Sequence, residues 1–196
     1  MAVIVIDAGH GGDEVVGGSS PNNATGPAGT LEKDLTLDFA KRVERMLSAV
    51  HDVRMTRRTD VNVGIAARAH VARDASADVF LSIHMNGFSD PKVQGTETLV
   101  WPGTKPSEKS HRLAVLIQRA TVGVTGYRDR GLKDERRLGV LNPKNHVEKT
   151  ARCLVEISFL TGPGRSSQET DEERLKDEAY RDSIAEAIAE AIEAYL

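Results

Sequence analysis

The sequence predicts an α/β fold built on a doubly wound sheet, because strand-like and helix-like patterns alternate along all of its 196 residues. Residues 3–6 form a continuous β-branched run and 78–83 a second apolar run, as expected of strands covered on both faces. A loop rich in Gly, Ser, Asn and Pro follows the first strand over residues 9–29, and long ordered loops at strand ends usually carry function. Neither an internal repeat nor a linker-like stretch is evident, so we expect a single domain over residues 1–196.

The other elements follow from periodicity and capping residues. Apolar residues at helical spacing predict a helix over 31–49, and a second helix over 61–75 follows Asp60 as its N-cap. Thr170 and Glu173 form a capping-box pattern ahead of a short helix. Further strands are predicted at 52–56, 96–101, 139–141 and 152–158, and further helices at 107–121 and 180–195.

Composition excludes several functional classes. A formal net charge of -3 does not suggest a nucleic-acid-binding surface, and a single cysteine rules out an internal disulfide. Aromatic residues make up only 4% of the chain, which leaves little material for a sugar-stacking or base-stacking platform. The N-terminal apolar run meets Asp7 too early for a signal peptide, and no stretch reaches the roughly 20 apolar residues that a membrane span needs. We therefore expect a soluble chain with no export signal of its own and no membrane insertion.

Three strands end in or near a potential metal ligand or acid, which is where functional groups gather in an α/β sheet. These residues are His10, His84 and Glu156, and Glu32 joins them from the first turn of the first helix. Two imidazoles and one carboxylate are a common catalytic zinc set that leaves a fourth position for water. Glu156 would then be available as a general base.

Each of these residues also has a simpler explanation. The Gly-rich turn around His10 resembles a phosphate loop, although Glu14 stands where such a loop requires glycine. A first-turn acid such as Glu32 commonly complements the helix dipole, and His84 could be a hydrogen-bonded histidine at a strand end. An acid inside an apolar strand is costly unless it is paired, so Glu156 could belong to a structural ion pair.

Taken together, the segments resemble the zinc-dependent N-acetylmuramoyl-L-alanine amidases, the cell-wall hydrolases of bacterial autolysins and phage endolysins. The matching segments are, in order, residues 4–12, 31–35, Arg68 with 77–86, 95–97 and 154–160. The resemblance implies that His10, Glu32 and His84 bind one Zn²⁺ ion and that Glu156 is the catalytic acid-base residue. It also implies a single α/β domain whose mostly parallel, roughly six-stranded sheet has helices on both faces.

The chain departs from this family at three positions away from the implied ligands. Arg73 stands where asparagine is usual, Ser158 where glycine is usual and Gly162 where asparagine is usual. We expect these changes to alter local hydrogen bonding but not metal binding. Residues 102–151 are too short for the inhibitory helix that some bacterial members carry, so an open groove is expected.

The implied reaction is hydrolysis of the amide between N-acetylmuramic acid and L-alanine of the peptidoglycan stem peptide. Asp7 or Asn86 is expected to orient a ligating imidazole, or else to fix the loop backbone, and His146 is a candidate substrate contact. One alternative is a different zinc peptidase that uses His10 with Asp13 or Glu14. Another is a non-catalytic wall-binding homologue, which would be expected to have lost one of the four site residues.

The setting implied by the resemblance is the cell wall outside the cytoplasmic membrane, with peptidoglycan as the partner. Because the chain shows no signal peptide, we expect either phage-type release from the cytoplasm or a catalytic domain excised from a longer exported enzyme. We expect a monomer that binds no nucleic acid.

Overall fold

A computed structural model of the chain describes residues 1–135, 138–164 and 169–196. Its strands are β1 (Val3–Ala8), β2 (Asp52–Met55), β3 (Val79–Asn86), β4 (Thr96–Val100), β5 (Asp129–Asp134) and β6 (Ala151–Phe159). Its helices are α1 (Glu32–Leu47), α2 (Ile65–Asp74), α3 (Lys109–Thr125), α4 (Asp171–Arg174) and α5 (Glu178–Tyr195). Two short 3-10 turns, Gly139–Leu141 and Pro143–Asn145, precede β6.

The six strands form one sheet in the order β2-β1-β3-β6-β4-β5. All neighbouring strands are parallel except β4 and β6, which are antiparallel. The register places His84 of β3 opposite Glu156 of β6, and Glu156 opposite Glu97 of β4. The predicted mostly parallel α/β sheet is therefore confirmed, and its register already brings two of the predicted site residues side by side.

Helices cover the sheet unequally on its two faces. Alternate residues of β1, β3 and β6, such as Ile6, Leu81 and Val155, face α1, α3 and α5 in the large core. The residues between them, such as Val5 and Phe80, pack in a smaller cluster with α2 and the first 3-10 turn. His10, just after β1, and His84, near the end of β3, are partly exposed. No helix among the described residues is long and apolar enough to cross a membrane.

Two predicted details of the fold are wrong. Residues 139–141 form a 3-10 turn and not a strand, because Leu141 and Asn142 donate their backbone N–H groups to carbonyls three residues earlier. The second helix begins after Gly64, not after Asp60. The Asp60 carboxylate instead accepts hydrogen bonds from the Gly12 backbone (2.8 Å) and the Lys33 ammonium (2.9 Å), so it ties down the turn after β1.

The strand β5 is missing from the prediction. Its sequence carries four charged residues and a glycine among six positions, and it lies at the edge of the sheet. Edge strands bury little and often carry charge, so they lack the apolar pattern by which a strand is recognised. The capping box of Thr170 and Glu173, in contrast, forms as predicted.

The stability of the fold depends on the large core, and a matched pair of phenylalanines tests this. Phe39 is fully buried, whereas Phe88 is 56% exposed. Replacing Phe39 with alanine leaves a cavity under α1, so we expect the free energy of unfolding to fall by about 3–5 kcal/mol. The same change at Phe88 should cost less than about 0.5 kcal/mol. Urea unfolding of both variants measures the difference, and equal losses would contradict this assignment of the core.

Candidate metal centre

Three predicted ligands meet at the carboxyl ends of β1 and β3. The Oε1 atom of Glu32 lies 3.2 Å from Nε2 of His10 and 3.0 Å from Nδ1 of His84. The three candidate ligand atoms lie within 4.8 Å of one another. Glu32 is almost fully buried, while the imidazoles of His10 and His84 are 11% and 17% exposed. Two nitrogens and one carboxylate oxygen therefore converge on a point that remains open to the solvent side.

Local backbone geometry explains how His10 and His84 come so close. His10 has a φ of 60°, a left-handed conformation that a non-glycine residue adopts only when its surroundings enforce it. Gly9, just before it, lies directly against the His84 ring, and a Cβ at Gly9 would overlap three ring atoms. The glycine is thus required by the close approach of the second imidazole and not by its own backbone angles.

Hydrogen bonds fix the orientation of the ligands. The Nδ1 atom of His10 lies 3.0 Å from the Ser20 carbonyl oxygen, so Nδ1 carries the proton and Nε2 is left for a metal. The two oxygens of Glu32 accept hydrogen bonds from the backbone N–H groups of Ala24 (2.8 Å) and Met85 (3.2 Å). These contacts hold the carboxylate between the two rings without any metal.

Neither Asp7 nor Asn86 contacts a ligating imidazole, so the prediction that one of them orients a ring is wrong. Asp7 accepts hydrogen bonds from the side chains of Arg68 (2.8 Å), Thr56 (2.6 Å) and Ser82 (2.6 Å). It acts on the loop backbone, the alternative role considered for it, only through Arg68, which donates to the His10 carbonyl oxygen. Asn86 donates to Glu97. The partner of His10 is Ser20, a loop residue that no spacing rule singles out.

Two buried arginines hold the turn that carries His10: Arg57, which was not predicted, and Arg68, which is part of the family resemblance without a role assigned to it. Arg57 donates to the carbonyl oxygens of Ala8 (3.0 Å) and Gly9 (2.9 Å). Arg68 donates to the carbonyl oxygens of Ala8 and His10 (2.7 Å). The carbonyl groups of three consecutive residues, at the point where the chain leaves the sheet, are thereby hydrogen-bonded to guanidinium groups.

The electrostatics of the cluster favour an ionised Glu32. Burial opposes its ionisation, but the hydrogen bonds and charges of His10 and His84 outweigh that cost and lower the pKa of Glu32 to about 2. Burial also opposes protonation of His10, yet the neighbouring Glu32 carboxylate raises the pKa of His10 above its ordinary value. The cluster therefore presents a negative charge between two imidazoles, which is a favourable environment for a cation.

Glu156 is half-buried beside His84, and its Oε2 atom is shielded from solvent with no hydrogen-bond partner among the described residues. Burial, followed by the negative charges of Glu32 and Glu97, raises the pKa of Glu156 well above its usual range. An orphaned acid oxygen next to a candidate metal centre is costly unless something else binds it. The structural ion pair considered for Glu156 is absent from the described residues.

The donor set fits zinc, since imidazole nitrogen with one carboxylate oxygen is a typical catalytic set with an open position. The rival set fits less well. The side chain of Asp13 is 94% exposed and lies 3.3 Å from the Lys33 ammonium. Within the described residues, the only cluster of three or more potential ligands is His10, Glu32 and His84.

A cavity of about 170 Å³ opens beside both imidazoles. Its walls include the apolar side chains of Ile65, Val140 and Leu154, and the Asp7–Arg68 pair also lines it. His146 does not line this cavity. It is buried, and its Nε2 atom donates to the Val140 carbonyl oxygen (2.8 Å), so His146 supports the 3-10 turn that forms part of the cavity wall.

Of the three departures from the expected family pattern, Ser158 changes the hydrogen bonding most clearly. Its hydroxyl donates to Asp171, and the Tyr127 hydroxyl donates to the other oxygen of the same carboxylate. Arg73 is on the surface and pairs with the adjacent Asp74 (2.9 Å). Gly162 lies against the Val93 carbonyl oxygen, where a Cβ would not fit.

Comparison with known proteins agrees with this picture. A family model described as N-acetylmuramoyl-L-alanine amidase matches residues 4–194. The amidase LytC of Bacillus subtilis is 33% identical over 193 residues, which are 98% of this chain and 35% of LytC. The amidase AmiC of Neisseria meningitidis serogroup B is 27% identical over 99% of this chain and 52% of AmiC. The chain thus spans about a third to a half of the length of these relatives.

The fold also matches a solved structure closely. The catalytic domain of CwlV, an N-acetylmuramoyl-L-alanine amidase from Bacillus (Paenibacillus) polymyxa var. colistinus, has a TM-score of 0.83 with 29% sequence identity. The match covers 100% of this chain and 98% of that domain.

The role of Gly9 can be tested by adding one methyl group. Gly9→Ala should push the His84 ring away from Glu32. We expect the affinity for Zn²⁺ to fall at least about tenfold, because a change that misorients a metal ligand typically costs at least that much affinity. Competition with a chromophoric chelator measures the affinity. Gly123→Ala in α3, where a Cβ meets nothing within 4 Å, is the control and should bind zinc normally. Unchanged affinity in Gly9→Ala would show that the ring has room to move.

The buried Asp171 predicts a pH dependence of stability. Burial raises the pKa of Asp171 to about 6 although Ser158 and Tyr127 donate hydrogen bonds to it. A carboxyl whose pKa is higher in the folded state stabilises the fold at low pH, and this contribution is lost as the pH rises through about 6. Because the shift is about two pKa units, the loss is about 3 kcal/mol.

Asp171→Asn removes this titration, so between about pH 4 and about pH 7 the free energy of unfolding of the wild type should fall relative to that of the variant. Urea unfolding at several pH values measures both curves. Asp74→Asn on the surface is the control and should leave the wild-type pH dependence unchanged. Parallel curves for wild type and Asp171→Asn would refute the prediction.

Proposed function

The chain belongs to the N-acetylmuramoyl-L-alanine amidase family, and from that premise we propose that it hydrolyses the amide between N-acetylmuramic acid and L-alanine in peptidoglycan. The observation that carries the proposal is the convergence of His10, Glu32 and His84 within 4.8 Å, next to the unpartnered acid oxygen of Glu156. In this proposal the three converging residues hold one Zn²⁺ ion, and Glu156 is the general acid-base residue.

A bound zinc ion supplies Lewis-acid chemistry to such a site, because it polarises a carbonyl and makes water a better nucleophile at neutral pH. Glu32 contributes the negative charge of the site, and its two backbone hydrogen bonds keep it in place. Ser20 keeps the proton of His10 on the nitrogen that faces away from Glu32. Nε2 of His10 and the carboxylate of Glu32 are thereby oriented toward the proposed zinc position.

Glu156 performs the proton transfers in this mechanism. Its carboxylate takes a proton from the attacking water and passes it to the departing amine nitrogen of L-alanine, which cannot leave as an anion. The shielded Oε2 atom and the raised pKa of Glu156 suit an acid-base residue, because a group that holds its proton more strongly is a better base. The neighbouring carboxylates of Glu32 and Glu97 contribute to that basicity.

We further propose that residues 1–196 are one catalytic domain that acts as a monomer on cell-wall peptidoglycan. The single sheet that joins all six described strands supports one domain. The partial exposure of His10 and His84, beside an open cavity, supports a substrate that enters from solvent. A non-catalytic wall-binding role is less well supported, because the metal cluster and Glu156 are all in place.

The decisive variant is Glu156→Gln. It keeps the shape of the side chain but cannot accept and return a proton, so we expect about 10²- to 10⁴-fold slower release of stem peptides with the zinc content unchanged. Zinc is measured by elemental analysis and hydrolysis by the appearance of free peptide amino groups from purified peptidoglycan. Glu186→Gln on the exposed face of α5 is the matched control. Full activity in a zinc-loaded Glu156→Gln chain would eliminate this mechanism.

A further inference from the structure

Arg130 lies near the proposed acid-base residue on a strand that the sequence did not predict. In the β4–β5 pair, Thr96 is opposite Asp129 and Thr98 is opposite Leu132, so Arg130 and Gly131 form a bulge opposite Glu97. Gly131 has a φ of 72°. Bulges redirect side chains and occur often beside active sites. Here the bulge brings Arg130 to the Glu97 side chain.

Three contacts hold the Arg130 side chain in one position. Its Nε atom donates to Oε2 of Glu97 at 2.7 Å. Its guanidinium carbon lies 4.8 Å from the centre of the Phe159 ring. Its aliphatic part lies against Gly95, where a Cβ would overlap the Arg130 Cδ and Cγ atoms. A long side chain that is fixed in this way has already lost most of the conformational entropy that ligand binding would cost.

The two terminal nitrogens of Arg130 form no hydrogen bond within the parts of the chain that the structure describes, and the side chain is 29% exposed. A guanidinium group presents its N–H donors as a planar fork that fits the two oxygens of a carboxylate. Glu97 uses one oxygen for Nε of Arg130 and the other for Asn86 (2.9 Å), so it leaves the fork of Arg130 available. As far as the described residues show, Arg130 is therefore a fixed guanidinium group with N–H donors available to a ligand.

The position of the Arg130 side chain sets the distance from the reaction to this fork. The guanidinium group turns back from β5 toward β4 and β6, where it contacts Glu97 and the ring of Phe159. Phe159 follows Glu156 by three residues in β6, and a strand rises about 3.3 Å per residue, so the fork lies about 10 Å from Glu156 along that strand. An extended peptide advances about 3.3–3.6 Å per residue. Two extended residues therefore cover most of the distance between Glu156 and the fork. The side-chain or main-chain branch that carries the carboxylate of the second residue covers the rest.

The direction of the peptide follows from the proposed function, on which this inference rests. Glu156 must return a proton to the departing amine, so the amine and the peptide attached to it lie on the Glu156 side of the metal centre. We propose that Arg130 binds a free carboxylate on the second residue of the departing peptide, and that it makes the chain prefer substrates in which this group is acidic over those in which it is amidated.

Two synthetic muramyl peptides that differ only in this group, one with a free carboxylate and one with a carboxamide, test the proposal. For the wild type we expect about tenfold higher kcat/KM on the acidic substrate, mainly through KM, as is usual for a charge-assisted hydrogen bond. Arg130→Met should reduce this preference to about one, and Arg130→Lys should restore part of it. Arg119→Met, which removes an exposed arginine from α3, is the control and should keep the wild-type preference.

The ratio of kcat/KM on the two substrates distinguishes binding of the carboxylate by Arg130 from a loss of local structure. If Arg130 had only a structural role, its replacement would slow hydrolysis of both substrates equally. An equal loss on both substrates, or a wild type without any preference, would overturn the proposal. Binding of the uncleaved substrates to Glu156→Gln, with and without Arg130→Met, gives the same comparison by calorimetry without turnover. If the wild type hydrolyses neither substrate, the proposed function fails, and this binding comparison still decides the role of Arg130.

Discussion

The candidate metal centre depends on two buried guanidinium groups that bind the carbonyls at the end of β1. The chain leaves the sheet at Ala8, Gly9 and His10, and buried carbonyl groups without partners would be costly there. Arg57 and Arg68, each 3% exposed, donate to all three. These hydrogen bonds offset the strain of the left-handed His10 backbone and so determine where its imidazole points.

The positive charges of the two arginines are compensated in different ways. Arg68 has an ion pair with the buried Asp7, and the pKa of Asp7 stays below its ordinary value although burial alone would raise it. Arg57 makes no ion pair among the described residues, and burial with the nearby Arg68 lowers its pKa to about 10. Arg57 is still charged at neutral pH. The charge of Arg57 is compensated by backbone carbonyl oxygens, which the turn after β1 brings close together.

The sequence predicts the residues that carry the proposed chemistry better than it predicts the residues that hold them in place. His10, His84 and Glu156 follow from strands that end in polar residues, because parallel strands bring their carboxyl ends to one edge of the sheet. Glu32 and a possible zinc set were also candidates from the residues alone, and the resemblance to a known family was needed to choose them over the simpler explanations. Ser20 and Arg57 were not predicted, since they act through backbone carbonyls and ring nitrogens that are brought together only by the folded loop. Loop contacts of this kind have no periodicity that a sequence pattern can reveal.

The edge strand β5 shows why a binding residue can be the hardest one to predict. A buried strand is recognisable because each side chain must be apolar, and the same requirement leaves it little freedom to bind a polar ligand. The strand at the sheet edge is under no such requirement, so Asp129, Arg130 and Lys133 are tolerated there. Their charges conceal the strand from pattern-based prediction. The freedom that makes β5 unpredictable is also what allows its bulge to present a guanidinium group beside Glu97, next to the proposed acid-base residue.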